Sequence, residues 1–147
     1  MNVMTKEFVL FEEALALNKL NFDNPCFGFY ENFTKELNIQ GFQTSDCPLH
    51  NQYLCKKDDN LILAPSYQQA FKFFRDKYNL QHELISAQKG SWLMTIQDIS
   101  KTTEHGVYNG KRWDLDDLDD FNNLPHTYEQ AELACLKKLI EIVESKA

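Results

Sequence analysis

The side chains of this 147-residue sequence best suited to metal binding or nucleophilic chemistry are its four cysteines and four histidines. Cys47, His50 and Cys55 have the form C-x2-H-x4-C, and Cys26 would complete the four soft ligands that tetrahedral zinc takes. Structural zinc sites usually come as two close ligand pairs, whereas Cys26 lies far upstream on an expected strand. The set is therefore a weak candidate, and neither metal nor cofactor is expected. A Cys–His nucleophile would need a thiolate beside an imidazole with a third group to orient it. No flanking sequence around His50, His82, His105 or His126 supplies such a context. Cys135 falls on an apolar helical face and reads as core.

Carboxylates offer a second possibility. Asp114, Asp116, Asp117, Asp119 and Asp120 form an acidic run interrupted by Leu115 and Leu118, the kind of oxygen-rich stretch a hard cation uses. The run departs from the EF-hand pattern: Asp119 stands where the sixth-position glycine belongs and Pro125 where the twelfth-position glutamate belongs. A solvated loop, or one that docks on a basic partner, is the favoured reading. Glu132 sits within an apolar helical arc, either at its rim or partly buried, and the rim is favoured by its place near the helix N-terminus. There is no phosphate loop, no G-x-G-x-x-G, no G-x-S-x-G and no H-E-x-x-H.

The elements that would position these groups follow from periodicity. Tyr128, Ala131, Cys135, Leu139 and Ile142 recur three or four residues apart, and Leu136, Ile140 and Val143 widen the stripe to about half the helix circumference. Such an arc implies burial against more than one neighbour. Thr127 and Gln130 form a capping box at its start. A second helix begins at Ser66, with Gln69 three residues on, presents Tyr67, Ala70, Phe71, Phe74 and Tyr78 on one face, and stops at Asn79. The first helix is expected over residues 11–19, with Phe8, Val9 and Leu10 either extending it or forming a short strand. Strands are expected over residues 26–30, 37–42, 61–63, 82–87 and 91–96, with Lys89 and Gly90 turning between the last two. Asn109-Gly110 predicts a type I′ hairpin. Residues 31–36, 43–59 and 114–123 read as loops.

Each helix opens on an aromatic, two Glu or Gln residues and an alanine, at Phe11, Tyr67 and Tyr128. A tandem αββ duplication would produce this, and so would three independent helices sharing N-terminal chemistry, the favoured reading.

Composition sets the class. The length suits one domain over residues 1–147, and the 43% apolar and 25% charged fractions are those of a globular chain. Eleven phenylalanines predict an aromatic-rich core. A net charge of −7 disfavours nucleic acid as a partner, because Lys56-Lys57 and Lys111-Arg112 are pairs and not a patch. No signal-peptide pattern and no apolar run of membrane-spanning length is present, so the expectation is a cytoplasmic protein with reduced thiols.

The stretches FDNPCFGFY at residues 22–30, APSYQQAFKFFRDKY at 64–78 and TYEQAELACLKKLIEIV at 127–143 resemble small uncharacterised proteins encoded in prophages and conjugative elements of gut bacteria. They cover about a third of the chain. The resemblance implies an accessory gene of a mobile element acting in a bacterial cytoplasm, and no reaction.

Together these readings predict an α+β protein, an antiparallel sheet packed in two layers against three helices, in the order α-ββ-α-ββ-α with an extra hairpin. The functional expectation is a non-enzymatic protein-interaction protein, its partner another protein or a second copy of itself. A small enzyme with an unrecognised site among Cys47, His50, Cys55 and the acidic run is the alternative. A nucleic-acid accessory protein is the second.

Overall fold

The computed structural model describes residues 6–39, 61–86, 90–114 and 127–146. The fold is α+β, three helices and two three-stranded antiparallel sheets, in the order α1 (Phe11–Lys19), β1 (Gly28–Glu31), β2 (Leu37–Ile39), β3 (Leu61–Ala64), α2 (Tyr67–Tyr78), β4 (Leu80–Ser86), β5 (Trp92–Asp98), β6 (Arg112–Asp114) and α3 (Tyr128–Ser145). Its contacts gather into two compact units, residues 1–70 and 71–147, and α2 contributes residues to both. No helix among the described residues is long and apolar enough to cross a membrane.

In the first unit β1 is the central strand, in the order β2-β1-β3. Phe29 lies between Asn38 on one side and Leu63 on the other. Helix α1 packs on β3 and ends in a Schellman motif. Asn21 takes a left-handed φ of 65°. The Asn21 and Phe22 amides then reach back to the carbonyls of Asn18 (3.1 Å) and Leu17 (3.0 Å). Phe22 and Leu17, which flank that closure, are both fully buried. Upstream, Phe8 makes an isolated bridge to Ser66, and the Val9 amide donates to the Pro65 carbonyl at 3.0 Å. This stretch is therefore extended and does not lengthen the helix. Tyr30 anchors it: the ring is buried, its hydroxyl donates to the Val9 carbonyl at 2.7 Å, and Phe11 meets it edge-on at 5.5 Å.

The Ser66–Gln69 capping box forms in full, and Thr127 caps α3 by one bond. The Gln69 amide donates to Ser66 Oγ at 3.2 Å while the Ser66 amide donates back to Gln69 Oε1 at 3.1 Å. Thr127 Oγ1 accepts from the Gln130 amide at 3.1 Å. Asn79 ends α2 with a φ of 55°, so the chain enters β4 at the next residue.

In the second unit the sheet is a meander, β4-β5-β6, with seven residue pairs from Leu80↔Asp98 to Ser86↔Trp92. Helix α3 packs on β5 and β4, and its buried residues are Ala131, Glu132, Cys135, Leu136, Leu139, Ile140, Ile142 and Val143. Phe71, Phe74, Leu80, Met94 and Ile96 complete this core.

The strands divide into two sheets where the sequence suggests one: those before α2 in the chain pair with one another, and so do those after it. The two groups are also wired differently. The central strand comes first in one sheet and second in the other, which a simple tandem duplication would not produce.

Candidate binding groove

Strand residues two apart share a face. The registers Gln81↔Gln97, Glu83↔Thr95, Gln97↔Arg112 and Thr95↔Asp114 therefore gather six polar side chains on one face of the second sheet. Thr95 Oγ1 donates to Asp114 Oδ1 at 3.2 Å and Arg112 Nε donates to the same oxygen at 2.8 Å. These bonds, that from Arg112 foremost, hold the Asp114 carboxyl below the usual carboxylate range.

A wall rises beside this floor. After Ile99 the chain leaves the sheet, reverses between Thr103 and Val107, and returns through Tyr108 to β6. The Thr103 amide donates to the Val107 carbonyl at 2.7 Å, and Thr102 bridges Tyr108. Gly106 supplies the positive φ, at 80°.

The extra hairpin thus exists, but its reversal is not at Asn109-Gly110. Neither of those residues has a positive φ. Gly110 is instead required for close approach, since a Cβ there would lie 2.6 Å from the Asp98 carbonyl oxygen. The Gln97 side-chain amide fixes the returning strand, donating to the carbonyls of Gly110 at 2.9 Å and Lys111 at 3.3 Å.

The result is an open groove of about 270 Å³ lined by Gln81, Glu83, Thr95, Gln97 and Arg112 below and Ile99, Val107 and Tyr108 at the side. Val107 is 62% exposed and Tyr108 47%.

Of the residues singled out for chemistry, Asp114 stands on this face of the sheet, and the other described ones lie away from the groove. Cys26 is buried, its thiol donating to the Asn24 carbonyl at 3.1 Å. Cys47, His50, Cys55 and His126 lie outside the described residues, as do Asp116, Asp117, Asp119 and Asp120 of the acidic run. Among the described residues no three of His, Cys, Asp and Glu are grouped so as to hold a metal ion. Burial, and secondarily the nearby Glu132, pushes the Cys135 thiol up to about 12. Glu132 itself is 6% exposed, inside the helix face and not at its rim. His82 is pushed down to about 4, by burial first and by the Arg75 charge second, and it stacks on Phe71. His105 stands exposed on the turn before Gly106.

Sequence reasoning did not assemble the groove. The expected strands over residues 82–87 and 91–96 contain Glu83 and Thr95 of its floor but stop short of Gln81 and Gln97. Its wall depends on where the 99–110 segment turns.

Comparison with protein-family models, with curated proteins and with solved structures gives no match.

Proposed function

We propose that this chain is a non-enzymatic accessory protein that binds another protein through the groove on the second sheet. One observation carries the reading: Val107 and Tyr108 are large apolar side chains held in solvent beside a hydrogen-bonded polar floor. Among the described residues, Cys26 and Cys135 are buried in the core and His82 is partly buried against Phe71. The partner is a polypeptide segment that covers Val107 and Tyr108 and satisfies Glu83. The resemblance of residues 22–30, 64–78 and 127–143 to proteins of prophages and conjugative elements supports a mobile-element setting in a bacterial cytoplasm.

The test is affinity purification of the tagged chain from its host, side by side with the Val107→Asp/Tyr108→Ala variant. A stoichiometric protein, or a second copy of the chain, should co-purify with the first and be lost from the second. Recovery of no stoichiometric partner, or equal recovery by both chains, rejects the reading.

A further inference from the structure

The opposite face of the same sheet carries a second hollow that shares no residue with the groove. Asp98 and Trp113 are neighbours in sequence of groove-facing Gln97 and Arg112, so strand alternation turns them toward the helix-covered side. There they meet the last turns of α3. The hollow, about 660 Å³, is lined by Asp98, Lys111, Trp113, Lys138, Glu141, Ile142, Ser145 and Lys146. That volume lies within the range of small-ligand sites, about 300–1,000 Å³.

Its charges are unevenly matched. Lys138 is paired with Glu141 at 2.8 Å. Asp98 already accepts from the Ser100 amide at 2.9 Å and the Ser100 hydroxyl at 2.6 Å, which foremost keeps its carboxyl ionised. Among the described residues Lys111 and Lys146 form no salt bridge. Both ammonium groups instead lie against the Trp113 ring, at 5.1 and 5.8 Å from its centroid. Two cations, of which Lys146 also helps to keep Asp98 ionised, thus flank one half-buried indole in a chain of net charge −7. Their placement is built into the fold, because Gly110 lets the returning strand press on Asp98, and the Asp98 amide donates to the Lys111 carbonyl at 2.9 Å.

We propose that this hollow binds a small phosphate-bearing ligand with a flat ring, of the size and chemistry of a nucleoside monophosphate. The phosphate bridges Lys111 and Lys146, displacing one or both from the indole. The ring then packs against the exposed part of Trp113. Asp98 and Glu141 accept hydrogen bonds from the sugar hydroxyls.

The experiment is calorimetric titration of the full chain with AMP, inorganic phosphate and a short oligo-dT, repeated on the Lys111→Gln/Lys146→Gln variant and on Trp113→Leu. AMP should bind with a dissociation constant below about 1 mM, and phosphate alone more weakly. The double lysine variant, altered only at exposed side chains, should bind AMP at least about tenfold less tightly, since each lost charged contact is worth that much or more. Trp113→Leu should lose affinity for AMP and keep that for phosphate. No heat with AMP up to about 10 mM overturns the proposal, as does AMP affinity that is the same in the lysine variant. Phosphate binding as tightly as AMP overturns the ring contact. Oligo-dT binding far more tightly than AMP overturns it in favour of a single-stranded nucleic-acid site.

Discussion

Phe71 of α2 and His82 of β4 lie ring on ring, their centroids 3.7 Å apart and their planes 20° from parallel. The stack covers one face of the imidazole. Burial, aided by Arg75, holds the His82 pKa at about 4 against an ordinary value of 6.5. Between those values the unfolded chain binds a proton that the folded chain refuses. The stabilisation is therefore complete above the unfolded pKa and is lost as pH falls toward 4. Urea denaturation at about pH 7.5 and pH 5 should differ by about 1–2 kcal/mol, allowing for partial solvent screening. His82→Phe should flatten that difference, and an unchanged slope would show that the proton goes elsewhere.

Leu139 is fully buried near the middle of the apolar arc of α3, with Cys135 and Leu136 beside it. Replacing it by alanine should cost about 2–5 kcal/mol in chemical denaturation, from lost transfer energy and the cavity left behind. Alanine at exposed Lys137 should cost about 1 kcal/mol or less. Similar small values at both positions would mean that α3 is not the centre of its core.

Glycines 106 and 110 should differ in their tolerance of substitution. Gly106 has a left-handed φ of 80° and open space where a Cβ would stand, so Gly106→Asn should cost less than about 1 kcal/mol. Gly110 would put a Cβ 2.6 Å from the Asp98 carbonyl, where the obstacle is backbone. Gly110→Ala should therefore cost about 1–3 kcal/mol in thermal or urea unfolding. Because it would part the returning strand from Asp98, it should also weaken any ligand held by Lys111. The reverse order of stabilities would place the turn back at Asn109-Gly110.

The buried thiols should be inert. Iodoacetamide at about pH 8 should leave Cys26 and Cys135 unlabelled in the folded chain and label both after denaturation, as read by peptide mass. Labelling of Cys135 at the rate of a free thiol would contradict both its burial and its raised pKa.

What the sequence determined on its own is local. Helix α1 forms over residues 11–19 as its apolar spacing predicts, Ser66 with Gln69 and Thr127 with Gln130 cap the other two, and Asn79 stops α2. Each of these rests on contacts within four or five residues, so chain order alone brings the partners together. The α+β class was legible for the same reason. Tertiary structure decided the rest. Asn109-Gly110 has the residues of a type I′ turn, but the side chain of Gln97 and the backbone of Asp98 hold that segment extended, and the reversal passes to Gly106. Glu132 was drawn inside by the strands that α3 covers. The groove joins Gln81, Thr95 and Arg112, and the hollow brings Lys146 to Lys111 and Trp113, partners far apart in the chain. Which strand edges pair, and in which register, is a competition among long-range contacts. Each residue's own pattern leaves that competition open, and it is closed only when the whole set of partners is buried at once.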